Sequence, residues 1–249
     1  MMTSPSGIQM LDISATVMGK TQSIHPTLIW DESDMILVDT SYPGQYPLLQ
    51  AEIMKTGLPL EKLNKVIITH QDIDHIGGLP ALLQECPSAD VIADPIEKPY
   101  IEGERMLVKV TPEAIAQAVA SLPPQVPEAM RAAFKHALEN PPKAPVNATV
   151  SDEEELPYCG GINIIGTPGH TPGHISLYHR ASKTLIAGDA LNVENGDLCE
   201  PTPANCWDFD MALHSLKRLS KYEIDRVICY HGGSFTGDCN KRIAELAGE

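Results

Sequence analysis

The chain has 249 residues, of which 43% are hydrophobic and 20% are charged, and its formal net charge at pH 7 is −15. This length and composition suit one globular domain, with or without an insertion, whose core can form without disulfides or a structural metal. Acidic residues outnumber basic ones by 33 to 18, and no basic block occurs, which argues against nucleic acids and anionic membranes as partners. We therefore expect a small-molecule substrate, with no nucleic acid and no membrane.

The cysteines and the first residues bear on the cellular compartment. Six cysteines are scattered along the chain without a C-x-x-C pair, which is typical of free thiols in a reducing compartment. A signal peptide begins with a basic segment that leads into an apolar one, and residues 1–7 do not show this pattern. No apolar run approaches the ~20 residues that span a bilayer. The sequence thus predicts a soluble, cytoplasmic protein.

Short apolar runs alternate with helical patterns in the first part of the chain. The runs are bounded by glycine, proline and aspartate, and they predict strands at residues 8–17, 27–30, 35–38, 65–70 and 90–93. Helical spacing of apolar residues predicts helices at 46–56 and 79–85. The run at 65–70 is rich in β-branched residues, as expected of a buried strand.

Residues ~96–150 differ from the rest because prolines recur throughout them. These prolines bracket two helical patterns, at 114–121, after the N-cap candidate Thr111, and at 127–139. We interpret the segment as a helical insertion over one edge of the core, and residues 1–249 as a single domain. Beyond it we predict strands at 162–165, 175–179, 184–187 and 226–230, and helices at 209–219 and 239–246. This alternation predicts α/β layers.

The most informative motif follows the strand at 65–70, where residues 70–78 read H-Q-D-I-D-H-I-G-G. It offers four ligand-type side chains within six residues: His70, Asp72, Asp74 and His75. Zinc, manganese and iron accept this mixture of imidazole and carboxylate. A polar loop that caps the next helix would explain one aspartate but not the whole run. The run therefore predicts a metal site in a loop between a strand and a helix.

Three further strand ends deliver residues of the same chemistry. Residues 166–174 read G-T-P-G-H-T-P-G-H, in which tight Pro-Gly turns fix His170 and His174 without a helix. Asp189 follows Gly188 directly after the strand at 184–187, and His231 follows the strand at 226–230. Four strand ends that each supply a potential ligand are hard to explain by packing alone.

In this order the motifs resemble those of the metallo-β-lactamase superfamily, T-H-x-H-x-D-H-x-G-G, P-G-H-T-P-G-H, G-D and a late histidine. The resemblance runs from about residue 8 to 235, apart from the segment at ~96–150. It implies a four-layer αββα sandwich with metals at one edge of the two sheets. By position, the ligands of a first ion would be His70 and His170, those of a second ion Asp74, His75 and His231, and Asp189 would bridge both. His174 would stabilise its turn, and Asp39 would have a structural role near the site, supporting the ligands without taking part in catalysis.

One departure from the family pattern concerns the first ion, because Asp72 stands where the family has its second signature histidine. The carboxylate of Asp72 can still coordinate a metal. Three carboxylates (Asp72, Asp74 and Asp189) against two divalent ions leave a formal charge of −3 + 4 = +1. Our hypothesis is a weaker Lewis acid at the first position and a preference shifted towards harder ions such as manganese or iron.

The resemblance implies a metal-dependent hydrolase with two divalent ions, zinc first and manganese or iron as alternatives. A hydroxide held between the ions would attack the substrate, and Asp74 would orient it. An ester, lactone or thioester is the first choice of substrate. Two other functions stay open: a di-iron oxidoreductase related to flavodiiron proteins, which also place a carboxylate at the position of Asp72, and a metal-bound binding protein without turnover. The oligomeric state is left open.

Overall fold

The computed structural model describes residues 5–17 and 20–248. The strands are β1 (Gly7–Met10), β2 (Ile13–Val17), β3 (Lys20–Ile24), β4 (Thr27–Trp30), β5 (Met35–Val38), β6 (Lys65–Ile68), β7 (Asp90–Ala93), β8 (Ala148–Thr149), β9 (Glu155–Leu156), β10 (Ile162–Gly166), β11 (Ile175–His179), β12 (Thr184–Gly188), β13 (Asn192–Glu194), β14 (Asp197–Cys199), β15 (Arg226–Cys229) and β16 (Gly233–Phe235). The helices are α1 (Tyr46–Lys55), α2 (Ile73–Ile76), α3 (Leu79–Glu85), α4 (Lys98–Ile101), α5 (Pro112–Ala120), α6 (Glu128–Glu139), α7 (Phe209–Leu216) and α8 (Cys239–Leu246). No helix within these ranges is long and apolar enough to cross a membrane.

Most of the strands form two six-stranded sheets. The first has the order β1-β4-β5-β6-β7-β8, and the second has the order β16-β15-β12-β11-β10-β9. Strands β5 to β8 run parallel to one another, as do β12 and β15. The hairpins β2-β3 and β13-β14 form separate two-stranded sheets. Parallel neighbouring strands have their carboxyl ends at the same edge of the sheet. The predicted ligands lie at this edge, because they come directly after such strand ends.

Alternation along single strands explains why the two sheets face each other. In β5, Ile36 and Val38 are buried with residues of the second sheet, whereas Met35 and Leu37 are buried with the helices outside the first sheet. In β12, Ile186 likewise belongs to the layer between the sheets. Successive side chains of a strand point to opposite faces, so a continuous apolar run has apolar contacts on both sides.

Helices cover the outer face of each sheet. Leu49 of α1 and Leu82 of α3 are fully buried with the first sheet, and Leu216 of α7 and Ile243 of α8 with the second. The layers therefore run helix, sheet, sheet, helix, which agrees with the sandwich that the family resemblance implied. Each of these four helices buries apolar residues on the side that faces its sheet.

The structure corrects two predicted elements. The run at 8–17 is two strands, because the chain leaves the first sheet after β1 and pairs β2 with β3, a strand that was not predicted. Residues 73–76 form the one-turn helix α2 where we expected a loop, with Asp72 at its N-cap position. Asp74 and His75 occupy successive positions of this helical turn.

The segment at ~96–150 contains α4, α5 and α6 and returns to the first sheet as β8 beside β7. Thr111 caps α5 as predicted, accepting a hydrogen bond from the backbone N–H of Ala114 at 3.1 Å. The guanidinium of Arg131 on α6 joins the two helices by donating to the carbonyls of Val119 and Leu122 at 3.0 and 3.1 Å. No residue of α6 is itself buried.

Candidate metal centre

The first group of predicted ligands lies at the ends of β6, β10 and β12. Nε2 of His70 is 3.3 Å from Oδ2 of Asp72, and Nε2 of His170 is 3.1 Å from the same oxygen. Nε2 of His170 is also 3.2 Å from Oδ2 of Asp189. Each of these four residues offers one ligand atom within 4.8 Å of the others, a spacing that one metal ion could bridge.

The second group comes from α2 and from the end of β15. Asp74, His75 and His231 also offer ligand atoms within 4.8 Å of one another. The carboxylate of Asp189 faces this group as well, with Oδ1 at 3.4 Å from Nε2 of His75 and Oδ2 at 3.4 Å from Nε2 of His231. The structure thus brings all seven predicted ligands together, with Asp189 between the two groups as its proposed bridging role requires.

Unsatisfied polar atoms indicate that a metal fits these residues. Nε2 of His70, Nε2 of His75 and Oδ1 of Asp189 are buried without a hydrogen-bond partner among the described residues. A buried polar atom without a partner costs about 1–3 kcal/mol, so such atoms are rare unless a ligand or ion satisfies them. Imidazole nitrogens and carboxylate oxygens are ligands that zinc, manganese and iron accept.

Asp39 orients one member of the second group, His75, from the side away from the proposed metal. Its Oδ2 lies 2.9 Å from Nδ1 of His75, which directs the other ring nitrogen, Nε2, towards the cluster. Asp39 is itself fixed by the backbone N–H and the hydroxyl of Thr69, which donate to its two oxygens at 2.8 and 2.7 Å. A carboxylate behind a metal-binding histidine fixes the tautomer and the ring orientation. This geometry agrees with the supporting role expected of Asp39.

His174 supports the turn and positions Asp189. Its Nε2 accepts a hydrogen bond from the backbone N–H of Asp189 at 3.0 Å, and its Nδ1 lies 2.8 Å from the hydroxyl of Thr167. Burial, aided by the neighbouring His170, lowers the pKa of His174 to about 3, so the ring is neutral and able to accept. Gly188 allows this approach, because its φ is +55° and a Cβ would lie 2.8 Å from Nε2 of His174.

The carboxylates concentrate negative charge on the exposed side of the cluster. Burial lowers the pKa of His231, but the carboxylates of Asp189 and Asp74 outweigh burial and raise that pKa to about 10. The same field that favours a proton on this imidazole would favour a divalent cation in its place.

Three features of the site were not predicted from the sequence, and the first is Lys109. Its ammonium contacts the carboxylate of Asp72, lies 2.8 Å from Nε2 of His170 and donates to the carbonyl of Asn205 at 3.0 Å. A single lysine between proline-rich segments carries no pattern that could have revealed this contact.

The second feature is a buried carboxylate that joins the two ligand loops. Glu97 is fully buried, and its Oε2 accepts from the backbone N–H and the side-chain amide of Gln71 at 2.9 and 2.8 Å. Its Oε1 accepts from the backbone N–H of Gly173 at 2.7 Å. The side-chain oxygen of Gln71 in turn accepts from the backbone N–H of Val108 at 2.6 Å. The loops that carry His70 and His170 are therefore tied to the segment that carries Lys109.

The third feature is Tyr230, which precedes His231. Its hydroxyl donates to the backbone carbonyl of Asp74 at 2.6 Å, and its ring centroid lies 3.7 Å from that of His75. The side chain thus contacts and stabilises the one-turn helix that carries two proposed ligands. Aromatic residues at the ends of buried strands are common, so the sequence did not distinguish this one.

A cavity of about 550 Å³ opens onto the cluster and is suited to a small molecule. Asp72, Asp74, Asp189 and Glu194 contribute carboxylates to its wall. Lys109 is the only lysine or arginine among the described residues that line it.

Comparison with known proteins identifies the family. The family model of the metallo-beta-lactamase superfamily matches residues 21–231, which include all seven predicted ligands. The chain belongs to the metallo-β-lactamase superfamily. Within it, this chain is 26% identical over 224 residues to the probable metallo-hydrolase YflN of Bacillus subtilis, a match that covers 85% of the chain and 81% of that protein. A hydroxyacylglutathione hydrolase of Xylella fastidiosa is 27% identical over 209 residues, covering 82% of the chain and 58% of the relative.

Solved structures of the superfamily share the fold. The metallo-β-lactamase family protein TTHA1429 of Thermus thermophilus superposes with a TM-score of 0.66 at 25% identity, over 97% of this chain and 78% of that one. The archaeal protein ST1585 of Sulfolobus tokodaii superposes with a TM-score of 0.65 at 22% identity. The αββα fold is thus confirmed, and so, at the level of the superfamily and its metallo-hydrolases, is the prediction of a metal-dependent hydrolase.

Proposed function

We propose that this member of the superfamily hydrolyses an ester, lactone or thioester bond of a small molecule with two divalent metal ions, zinc being the first choice. The observation that carries the proposal is the convergence of seven imidazole and carboxylate side chains on two adjoining positions at one edge of the sandwich. A cavity large enough for a small substrate opens directly onto them.

Each side chain has a defined part in this proposal. The first position is formed by His70, Asp72 and His170, the second by Asp74, His75 and His231, and Asp189 serves both. Two ions so held would supply Lewis acidity and lower the pKa of water towards neutrality. The carboxylate of Asp74, on the cavity wall, is placed to accept a hydrogen bond from the attacking water and so to orient it.

The charges of the cavity bear on the choice of substrate. The relative named hydroxyacylglutathione hydrolase supports a thioester among the candidates. Glutathione carries two carboxylates, however, whereas the described wall offers one ammonium, Lys109, among several carboxylates. With two ions bound, the charges of Asp72, Asp74 and Asp189 are compensated, which leaves Lys109 and Glu194 on the described wall. A wall without a cluster of cations favours esters, lactones or thioesters that carry little negative charge.

Asp72 favours one second candidate, a di-iron oxidoreductase. A carboxylate is a harder ligand than an imidazole, so Asp72 in place of a histidine makes the first position better suited to iron. A metal-bound protein without turnover is a third candidate, which a complete ligand set disfavours. As to location, we propose the cytoplasm, because all six cysteines are free thiols rather than disulfides.

The test combines metal analysis with a substrate panel. Protein that has never met a chelator is analysed by plasma mass spectrometry and then assayed on esters, lactones and thioesters. We expect bound zinc or manganese and a turnover that Asp74→Asn lowers by about 10²-fold or more, as loss of a group that orients the nucleophile does. Asp90→Asn, which changes an exposed aspartate at the start of β7, is the matched control. Two irons with an absorbance that changes on reduction, and no hydrolysis, would favour the oxidoreductase.

A further inference from the structure

The ammonium of Lys109 has a partner for each of its protons. An ammonium carries three N–H donors. Those of Lys109 face the carboxylate of Asp72, Nε2 of His170 and the carbonyl of Asn205. Two of these three acceptors are the atoms that we propose as ligands of the first metal ion. Lys109 therefore uses the same lone pairs that an ion at this position needs.

The position of Lys109 is built into the fold. The backbone N–H of its neighbour Val108 donates to the side chain of Gln71 at 2.6 Å, and Gln71 is held by the fully buried Glu97. Gln71 lies between His70 and Asp72, so the segment that carries Lys109 is anchored to the motif that carries two of the ligands. The side chain of Lys109 is nevertheless 23% exposed, which leaves it a route into the cavity.

The second position has no such competitor. Asp74, His75 and His231 contact one another and Asp189, and no lysine or arginine in residues 5–17 or 20–248 forms an ion pair with any of them. The two metal positions therefore differ in charge as well as in ligands.

We propose that Lys109 competes with the first metal ion for its ligands Asp72 and His170. The two positions therefore fill in a fixed order, the second position before the first. The inference rests on the proposed two-ion site and adds a mode of regulation to it. The lone pair on Nε2 of His170 accepts one partner at a time, so an ion binds there only after Lys109 has moved away.

The formal charges support this order. Asp72, Asp74 and Asp189 contribute −3, which one divalent ion and Lys109 balance, since +2 + 1 − 3 = 0. Two ions with Lys109 still in place give +4 + 1 − 3 = +2, an uncompensated charge within a partly buried site. At low metal concentration the protein holds one ion and Lys109, and only higher concentrations complete the two-ion site. The free metal concentration thus controls how much of the two-ion form exists.

The test is a titration that does not depend on turnover. Metal-free wild type is titrated calorimetrically with zinc in a buffer that controls free zinc, and bound metal is counted by plasma mass spectrometry after gel filtration. The wild type should show two steps of unequal affinity. Lys109→Met should strengthen the weak step by about tenfold or more, and by more than it strengthens the tight step, because repulsion is reduced at both positions but direct competition is removed only at the first. Lys135→Met, which removes an exposed lysine from α6, should titrate as the wild type does.

Several outcomes decide the matter. A wild type that retains one ion where Lys109→Met retains two supports the proposal. A wild type that binds two ions in a single step of equal affinity overturns it, whether or not the variant folds, and so does a weak step that Lys109→Met leaves unchanged. Ordered binding without hydrolysis of any substrate would contradict the proposed function alone. Hydrolysis with two equivalent ions would contradict this inference alone.

Discussion

Replacing Glu97 with alanine should destabilise the protein strongly, although Glu97 is not a proposed ligand. The carboxylate accepts three hydrogen bonds, two from Gln71 and one from Gly173, and it is fully buried. Each buried donor that loses its partner costs about 1–3 kcal/mol. Partial relaxation and entry of water reduce the sum, so we expect Glu97→Ala to lower the free energy of unfolding by roughly 3–6 kcal/mol.

Glu97→Gln separates the hydrogen bonds from the volume of the side chain. The amide oxygen can still accept, but the amide nitrogen must face a donor, so we expect a loss of about 1–3 kcal/mol. The assay is urea denaturation of metal-free protein followed by circular dichroism, with Glu104→Ala, an exposed position in the same segment, as the control. A loss below about 1 kcal/mol for Glu97→Ala would refute the argument that this carboxylate holds the two ligand loops together.

Three further predictions concern Asp39, Tyr230 and Asp34. Asp39→Asn removes the charge behind His75 and should weaken metal binding by ~10–100-fold in a chelator competition; unchanged affinity would contradict the role given to Asp39. Tyr230→Phe removes a hydrogen bond of 2.6 Å and should cost about 1 kcal/mol in urea denaturation, whereas a variant as stable as wild type would show that the hydroxyl does not brace α2. Burial alone would raise the pKa of Asp34, but hydrogen bonds led by that from Lys65 hold it below its ordinary value of 3.8. The stabilisation by Asp34 is therefore present above pH 3.8 and lost as the pH falls through the lowered pKa, so Asp34→Asn should reduce the acid dependence of the urea midpoint; an identical dependence would count against the ion pair.

The sequence revealed the candidate ligands because of where they stand. His70, His170, Asp189 and His231 each come after a short, largely apolar strand, and the carboxyl ends of these strands meet at one edge. The spacing within residues 70–78 identified the rest. A ligand loop directly after an apolar run is a local signal, and local signals can be read without the fold.

The contacts that support the ligands had no such signal. The ammonium of Lys109 meets His170 across 61 residues of sequence, and Glu97 meets Gly173 across 76. A buried carboxylate looks like an ordinary surface residue in a sequence until the fold shows its donors. These pairings depend on how the segment at ~96–150 lies on the sheets, which hydrophobic periodicity does not specify.

The secondary structure also contains strands that local sequence predicted and a strand that it did not. The strands β4, β5 and β7 have the predicted bounds, because each is a short run with apolar residues on both faces. β3 was missed because residues 20–24 read K-T-Q-S-I, a polar run that forms a strand only by pairing with β2. Tertiary pairing, rather than intrinsic preference, determines such a strand.

Whether these side chains bind the metal on which hydrolysis depends can be decided by a chelation experiment. Metal content by plasma mass spectrometry is compared with the rate of hydrolysis of the best substrate before chelation, after chelation and after zinc is restored. We expect bound zinc or manganese that the chelator removes together with the activity, and recovery of both when the metal returns. A protein that carries no divalent metal and hydrolyses its substrate equally well after chelation would contradict this expectation.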